Sequence, residues 1–185
     1  MNNINIQLVP LKDNDREQFI LDNQQAFRYG AVEEFGIRDE HFDEDGEIIS
    51  RQTIENSIDN GIALRIMLDE KIAGGMVLSI NGHRGELELL FVLPEAHSKG
   101  IGYAAWCEAE KKFPDVHIWE TMTPYFEKRN IHFYVNRCGF HIVEFICSHH
   151  SLSDHTDSSG EGPDEMFRFE KIIPDNSRSQ QNNSD

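Results

Sequence analysis

A chain of 185 residues, 38% hydrophobic and 10% aromatic, has the length and composition of one globular domain with its own core. Its formal net charge of −16 argues against nucleic acid or an anionic membrane surface as partner, and it favours cationic visitors such as protonated amines. Three irregularly spaced cysteines (Cys107, Cys138, Cys147) do not suggest a disulfide scaffold and fit a reducing cytoplasm; Met1 to Leu11 lacks a signal peptide's basic start and apolar run, and no apolar stretch is long enough to span a bilayer.

Ile4, Ile6 and Leu8 alternate with polar residues, which predicts a first strand over Asn3 to Val9. Asp13 and Asn14 are candidate caps for a helix that carries Phe19, Ile20 and Phe27 inward and stops at Gly30. An acidic stretch follows from Ala31 to Glu47, and then a second helix from Ile49 to about Asp59. Ile62 to Leu68 and Ile72 to Ile80 read as strands joined by the turn Asp69-Glu70-Lys71. Asn81-Gly82 is a hairpin signal leading into a fourth strand, Glu86 to Leu93, ended by Pro94. A helix runs from Gly100 to about Phe113 with Ile101, Ala105, Trp106, Ala109 and Phe113 on one apolar arc. Val116 to Glu120 is a fifth strand, Pro124 opens a helix ending at Gly139, and Phe140 to Cys147 and Met166 to Ile172 are the last strands. The expected domain covers residues 1–173, with a polar loop at 148–165 and a disordered tail at 174–185. Antiparallel hairpins followed by a β-α-β passage predict one mixed sheet with helices on both faces, an α/β (α+β) fold.

The turn His97-Ser98-Lys99-Gly100-Ile101-Gly102-Tyr103-Ala104 joins the fourth strand to its helix. Gly100 and Gly102 lack a Cβ, so a bulky anion can approach their amides. The first N–H groups of a helix have no internal acceptor, and the helix dipole places positive charge at the same end. A diphosphate satisfies both, and Lys99 can add a full charge. The plainer reading is a tight strand-to-helix turn.

Val92-x-Pro94 followed by His97-x-x-Gly100-x-Gly102 resembles the central motif of the GNAT N-acetyltransferase superfamily, whose pattern is Arg or Gln, two residues, Gly, one residue, then Gly or Ala. Phe133-Tyr134-Val135-Asn136-Arg137-Cys138-Gly139-Phe140 resembles its second signature, an aromatic pair in a helix running into Gly-Phe. The resemblance extends from about Gln7 to Ile172 and implies a mostly antiparallel seven-stranded sheet with about four helices, acetyl-coenzyme A as co-substrate and no metal. It implies that amides from His97 through Ser98, Lys99, Gly100, Ile101, Gly102, Tyr103 and Ala104 hold the pyrophosphate. It also implies that the backbone of Leu90, Phe91 and Val92 pairs with the pantetheine arm as an added strand would. Two positions depart from the pattern: His97 replaces Arg or Gln, and Glu127 stands where the second motif often has Asn.

An amine attacking a thioester must lose a proton, the carbonyl oxygen needs stabilising as it gains charge, and the departing thiolate benefits from a proton. Glu86 and Glu88 are the candidate bases. They lie two apart on the fourth strand and share a face with Leu90 and Val92. Burial would raise their pKa values towards those of a useful base, whereas a wet sheet edge would leave them as ordinary surface acids. By the resemblance, Glu86 matches the glutamate base of some members, and Tyr134 matches a tyrosine whose hydroxyl lies near the coenzyme A sulfur as general acid. The alternative for Tyr134 is a core aromatic on one face with Phe126 and Phe133. A backbone N–H near Phe91 is the expected oxyanion donor.

The acidic stretch falls where the resemblance implies acceptor recognition, so it reads either as a lip for a cationic amine or peptide end, or as a solvated loop. His149, His150, Asp154, His155 and Asp157 lack the tight paired spacing of a zinc site. Trp119 lines the cleft or the core. The function these features imply is direct acetyl transfer from acetyl-coenzyme A to a primary amine, by a monomer or homodimer. The alternative is a coenzyme A-binding sensor or scaffold with weak or no catalysis. An unrelated nucleotide-binding fold would place its glycines after the first strand, not the fourth.

Overall fold

A computed structural model describes residues 5–35, 47–97, 100–147 and 165–174 of the chain. The predicted acidic stretch beyond residue 35, Ser98, Lys99, the histidine cluster at 149–157 and the tail therefore lie outside the described residues. Among the described residues, seven strands form a sheet in the order β1-β2-β3-β4-β5-β7-β6, and four α-helices accompany it. The chain divides into two compact units, residues 1–80 with 86–113 and residues 81–85 with 114–185, each described by itself.

In the first unit, β1 (Ile6–Pro10) pairs antiparallel with β2 (Ile62–Leu68), which pairs antiparallel with β3 (Lys71–Asn81). Asp13 and Asn14 do not cap a helix. Asp13–Asp15 forms a 3-10 turn with no side-chain cap bond, and α1 (Arg16–Phe35) follows directly. Helix α1 passes through Gly30 instead of ending there, because a single glycine costs a helix interior only about 1 kcal/mol and Ala31, the next residue, is buried. Helix α2 (Arg51–Asn60) starts two residues later than Ile49, behind the N-cap Ser50, whose hydroxyl accepts from the Thr53 amide at 3.1 Å. Phe19, Ile20 and Ile54 are fully buried under these helices.

Asp69 and Glu70 both have positive φ, 48° and 63°. They form a two-residue hairpin turn of the left-handed kind that suits Asn-Gly, and Lys71 already belongs to β3. Glu70 in that region costs about 1–2 kcal/mol. The double change Asp69→Asn, Glu70→Gly is expected to raise stability by about 0.5–1 kcal/mol. Urea unfolding should show a higher midpoint at an unchanged slope.

Strand β4 (Arg84–Val92) alternates in burial, with Leu87, Leu89 and Phe91 inward. A 3-10 turn, Pro94–Ala96, ends it, and α3 (Ile101–Lys112) buries Ile101, Ala105, Trp106 and Ala109. This is the apolar arc expected from the sequence, apart from Phe113, which lies just beyond the helix as its C-cap.

In the second unit, β5 (Ile118–Pro124) starts later and ends later than expected. Thr121 and Thr123 are buried while Met122 is exposed, so the two-residue period continues past Glu120 and the strand reaches Pro124. The helix expected to open at Pro124 begins at Lys128. Helix α4 (Lys128–His132) leads into a π-helical turn, Phe133–Cys138, closed by Gly139 at φ 80°. Strands β6 (His141–Ile146) and β7 (Met166–Ile172) are antiparallel, and β7 also pairs antiparallel with β5. Trp119 is fully buried, and a Cβ at Gly85 would strike its ring, so it is a core residue.

Candidate functional site

The first unit carries the strand-to-helix turn. Gly100 is the N-cap of α3 at φ 73°, ψ 13°, a left-handed conformation that glycine adopts without penalty. It brings no side chain to cap the helix. The Ala104 amide donates to the Gly100 carbonyl at 3.0 Å, the first internal bond of α3. The amides of Ile101, Gly102 and Tyr103 precede that bond, so the helix offers them no acceptor. Three N–H groups, a glycine on either side of Ile101 and the positive end of the dipole make a donor set that fits a diphosphate.

His97 is already engaged. Its amide donates to the Pro94 carbonyl at 3.2 Å, and its Nε2 lies 2.7 Å from the Val92 carbonyl oxygen, which makes Nε2 the protonated nitrogen. The Tyr29 ring meets the imidazole edge-on at 5.0 Å. His97 thus ties the end of β4 to the turn, and the diphosphate donors begin further along. The sequence signals Tyr29 only as one aromatic of α1.

Strand β4 presents its even-numbered side chains on the less buried face. Leu90 and Val92 are half-buried, Glu88 is half-buried and Glu86 is exposed. The burial that would make Glu86 a strong base is therefore missing, because the strand's sealed face belongs to Leu87, Leu89 and Phe91. Phe91 is held by Phe19 edge-on at 5.1 Å, and Phe19 in turn lies under the Arg65 guanidinium at 5.0 Å.

The second unit carries Tyr134 on the π-helical turn, a geometry that recurs at functional sites. Its ring packs against Phe133, Phe140 and Phe169 at 5.5–5.8 Å, and its carbonyl accepts from the Phe140 amide at 2.9 Å. Burial pushes its phenol up from 10.0 to about 12, against the pull of a hydrogen bond with Thr121. A phenol so placed keeps its proton at neutral pH and is a weaker acid than an exposed tyrosine. Thr121, buried and facing that phenol, is a site candidate that the sequence marks only as a strand residue.

Among the described residues no group of three or more His, Cys, Asp or Glu is placed to hold a metal, and no helix is long and apolar enough to cross a membrane. None of the three cysteines is in a disulfide among the described residues.

The sequence profile of the Acetyltransferase (GNAT) family matches residues 23–140, which include both the β4–α3 turn and Tyr134. The uncharacterized protein YrkN of Bacillus subtilis (strain 168) is 42% identical over 173 residues, 88% of this chain and 90% of that protein. The PaiA N-acetyltransferase of Thermoplasma acidophilum, solved in complex with coenzyme A, has the same fold. It aligns over 92% of this chain and 100% of its own, with a TM-score of 0.64 at 22% identity. The spermidine N-acetyltransferase of Vibrio cholerae, solved with coenzyme A and spermine, aligns over 90% and 95% with a TM-score of 0.60 at 14% identity. The profile covers well over half of the sequence, and this chain belongs to the GNAT acetyltransferase family.

Proposed function

We propose that this protein is an N-acetyltransferase that moves the acetyl group of acetyl-coenzyme A to a primary amine by direct attack. The observation that carries the reading is the uncapped start of α3. Gly100 in the left-handed region, Gly102 two residues on and the first amides of α3, which the helix itself does not bond, suit a diphosphate, in a chain of an acetyltransferase family.

In this reading the diphosphate sits on those amides, and the β4 backbone at Leu90, Phe91 and Val92 aligns the pantetheine arm. The amine nitrogen attacks the thioester carbonyl carbon, the C–S bond breaks, and coenzyme A leaves as a thiolate. Tyr134, protonated at neutral pH, gives the thiolate its proton and regains one through water from the attacking nitrogen, which sheds it on becoming an amide. The ammonium proton of the incoming amine leaves to Glu88, half-buried on β4, or through water to the exposed Glu86. A cationic acceptor fits the net charge of −16, and three cysteines without a disulfide fit a reducing cytoplasm.

The test is thiol release from acetyl-coenzyme A with polyamines, aminoglycosides, small primary amines and peptides with free N-termini, followed by mass spectrometry. A 42-dalton gain on an amine supports the reading, 42 being roughly the mass that replacing an amine hydrogen by acetyl adds. Coenzyme A binding with no turnover on any acceptor class favours a sensor or scaffold instead.

A further inference from the structure

Gly74 and Gly75 lie side by side in the buried middle of β3, where a strand gains nothing from glycine unless something comes close. Neither has the positive φ that would require glycine; in the described chain that applies to Gly82, Gly100 and Gly139. Space is therefore the reason, and it differs between the two. A Cβ on Gly75 would meet the rings of Phe19 and Phe91, side chains of the core. A Cβ on Gly74 would run into the Phe91 carbonyl oxygen, far inside contact distance, and would stand 3.0 Å from the Val92 Cα and 3.1 Å from the Phe91 carbonyl carbon. All three are backbone atoms of one peptide unit, and that unit cannot rotate away as a side chain can. The same stretch is fixed on both sides: the Leu93 amide donates to the Ala73 carbonyl at 2.9 Å, and the Val92 carbonyl accepts from His97 Nε2 at 2.7 Å.

We propose that Gly74 is a positioning residue for acyl-coenzyme A: its missing side chain lets the Phe91–Val92 peptide of β4 sit where it can pair with the pantetheine arm. The inference rests on the proposed function, since it assigns that peptide to the cofactor. A methyl group at 74 moves the peptide and, through the Val92–His97 bond, the start of the turn. A methyl group at 75 disturbs core packing beside the same residue and leaves the peptide its room. The pair separates placement of the strand from stability of the core.

The experiment is calorimetric titration of coenzyme A into wild type, Gly74→Ala and Gly75→Ala, with thermal unfolding of each and kinetics on any active acceptor. Both variants are expected to unfold at lower temperature. Gly74→Ala alone is expected to weaken coenzyme A by about tenfold to a hundredfold and to raise KM for acetyl-coenzyme A, with KM for the acceptor unchanged. Equal affinity in Gly74→Ala and wild type, or an equal loss in both variants, overturns the inference. Wild type that does not bind coenzyme A overturns the functional reading itself. If Gly74→Ala does not fold, deuterium exchange on wild type decides: coenzyme A should protect amides at 89–93, and no change there overturns the inference.

Discussion

Tyr134→Phe is expected to lower kcat by about a hundredfold to ten-thousandfold, the range that a positioned general acid supplies, while KM for acetyl-coenzyme A stays close to wild type. The phenyl ring keeps the packing against Phe133, Phe140 and Phe169, so the loss comes from one hydroxyl. The same hydroxyl makes a second, independent prediction. In the folded protein the phenol titrates near 12, and in the unfolded chain near 10. The folded state therefore holds a proton that the unfolded state has released. Its contribution is full below pH 10 and is lost as pH rises through 12. Two units correspond to about 2–3 kcal/mol. Denaturant unfolding of wild type and Tyr134→Phe across pH 8 to 11.5 should show wild type losing stability faster above pH 10. Parallel curves would show that the phenol is not buried as described, and an unchanged kcat would remove Tyr134 from the chemistry.

Arg65→Met is expected to destabilise the fold by about 3–5 kcal/mol. Arg65 is almost fully buried on β2. Its Nε and Nη2 form a fork on Asp15 at 2.7 and 3.0 Å, and its Nη1 donates to Asp22 at 2.7 Å. Asp22, itself buried, also accepts from Gln18 at 2.8 Å. Removing the guanidinium leaves two carboxylates facing each other with no cation between them, which is far costlier than losing a surface pair. Arg65→Lys keeps a charge but loses the fork, so it should recover only part of the difference. Because Phe19 lies between the guanidinium and Phe91, the loss should also loosen α1 over β4. Urea unfolding measures the effect. A change below about 1 kcal/mol would mean that the cluster is hydrated in solution.

What could be read from the sequence follows the range of the interactions. Gly100 and Gly139 were legible because each carries a local conformational demand, a left-handed backbone at the end of an element. The arc Ile101, Ala105, Trp106, Ala109 was legible because helical spacing alone sorts it to one face. Strand β7 matches its expected bounds, since Met166 to Ile172 alternates between polar neighbours. The structure departs from the sequence pattern where distant contacts outvote local signals. Gly30 reads as a stop, yet tertiary burial of Ala31 carries α1 onward. Asp13 and Asn14 looked like caps, while Asp15, two residues on, serves Arg65 fifty positions away. Glu86 and Glu88 sit on the expected face of β4, but whether a strand face is sealed depends on what packs over it, and no pattern within nine residues reports that. The collision between position 74 and the Phe91 carbonyl is likewise invisible in sequence beyond the oddity of two adjacent glycines in a strand.

The central claim is that amides at the start of α3 grip a diphosphate. Titration of coenzyme A into wild type and Gly100→Glu, with unfolding temperatures recorded for both, tests it most directly. Wild type should bind one coenzyme A per chain. Folded Gly100→Glu should bind it at least about a hundredfold more weakly, because a carboxylate then faces the phosphates at the positive end of the helix. No heat with wild type, or equal affinity in the two proteins, would contradict it.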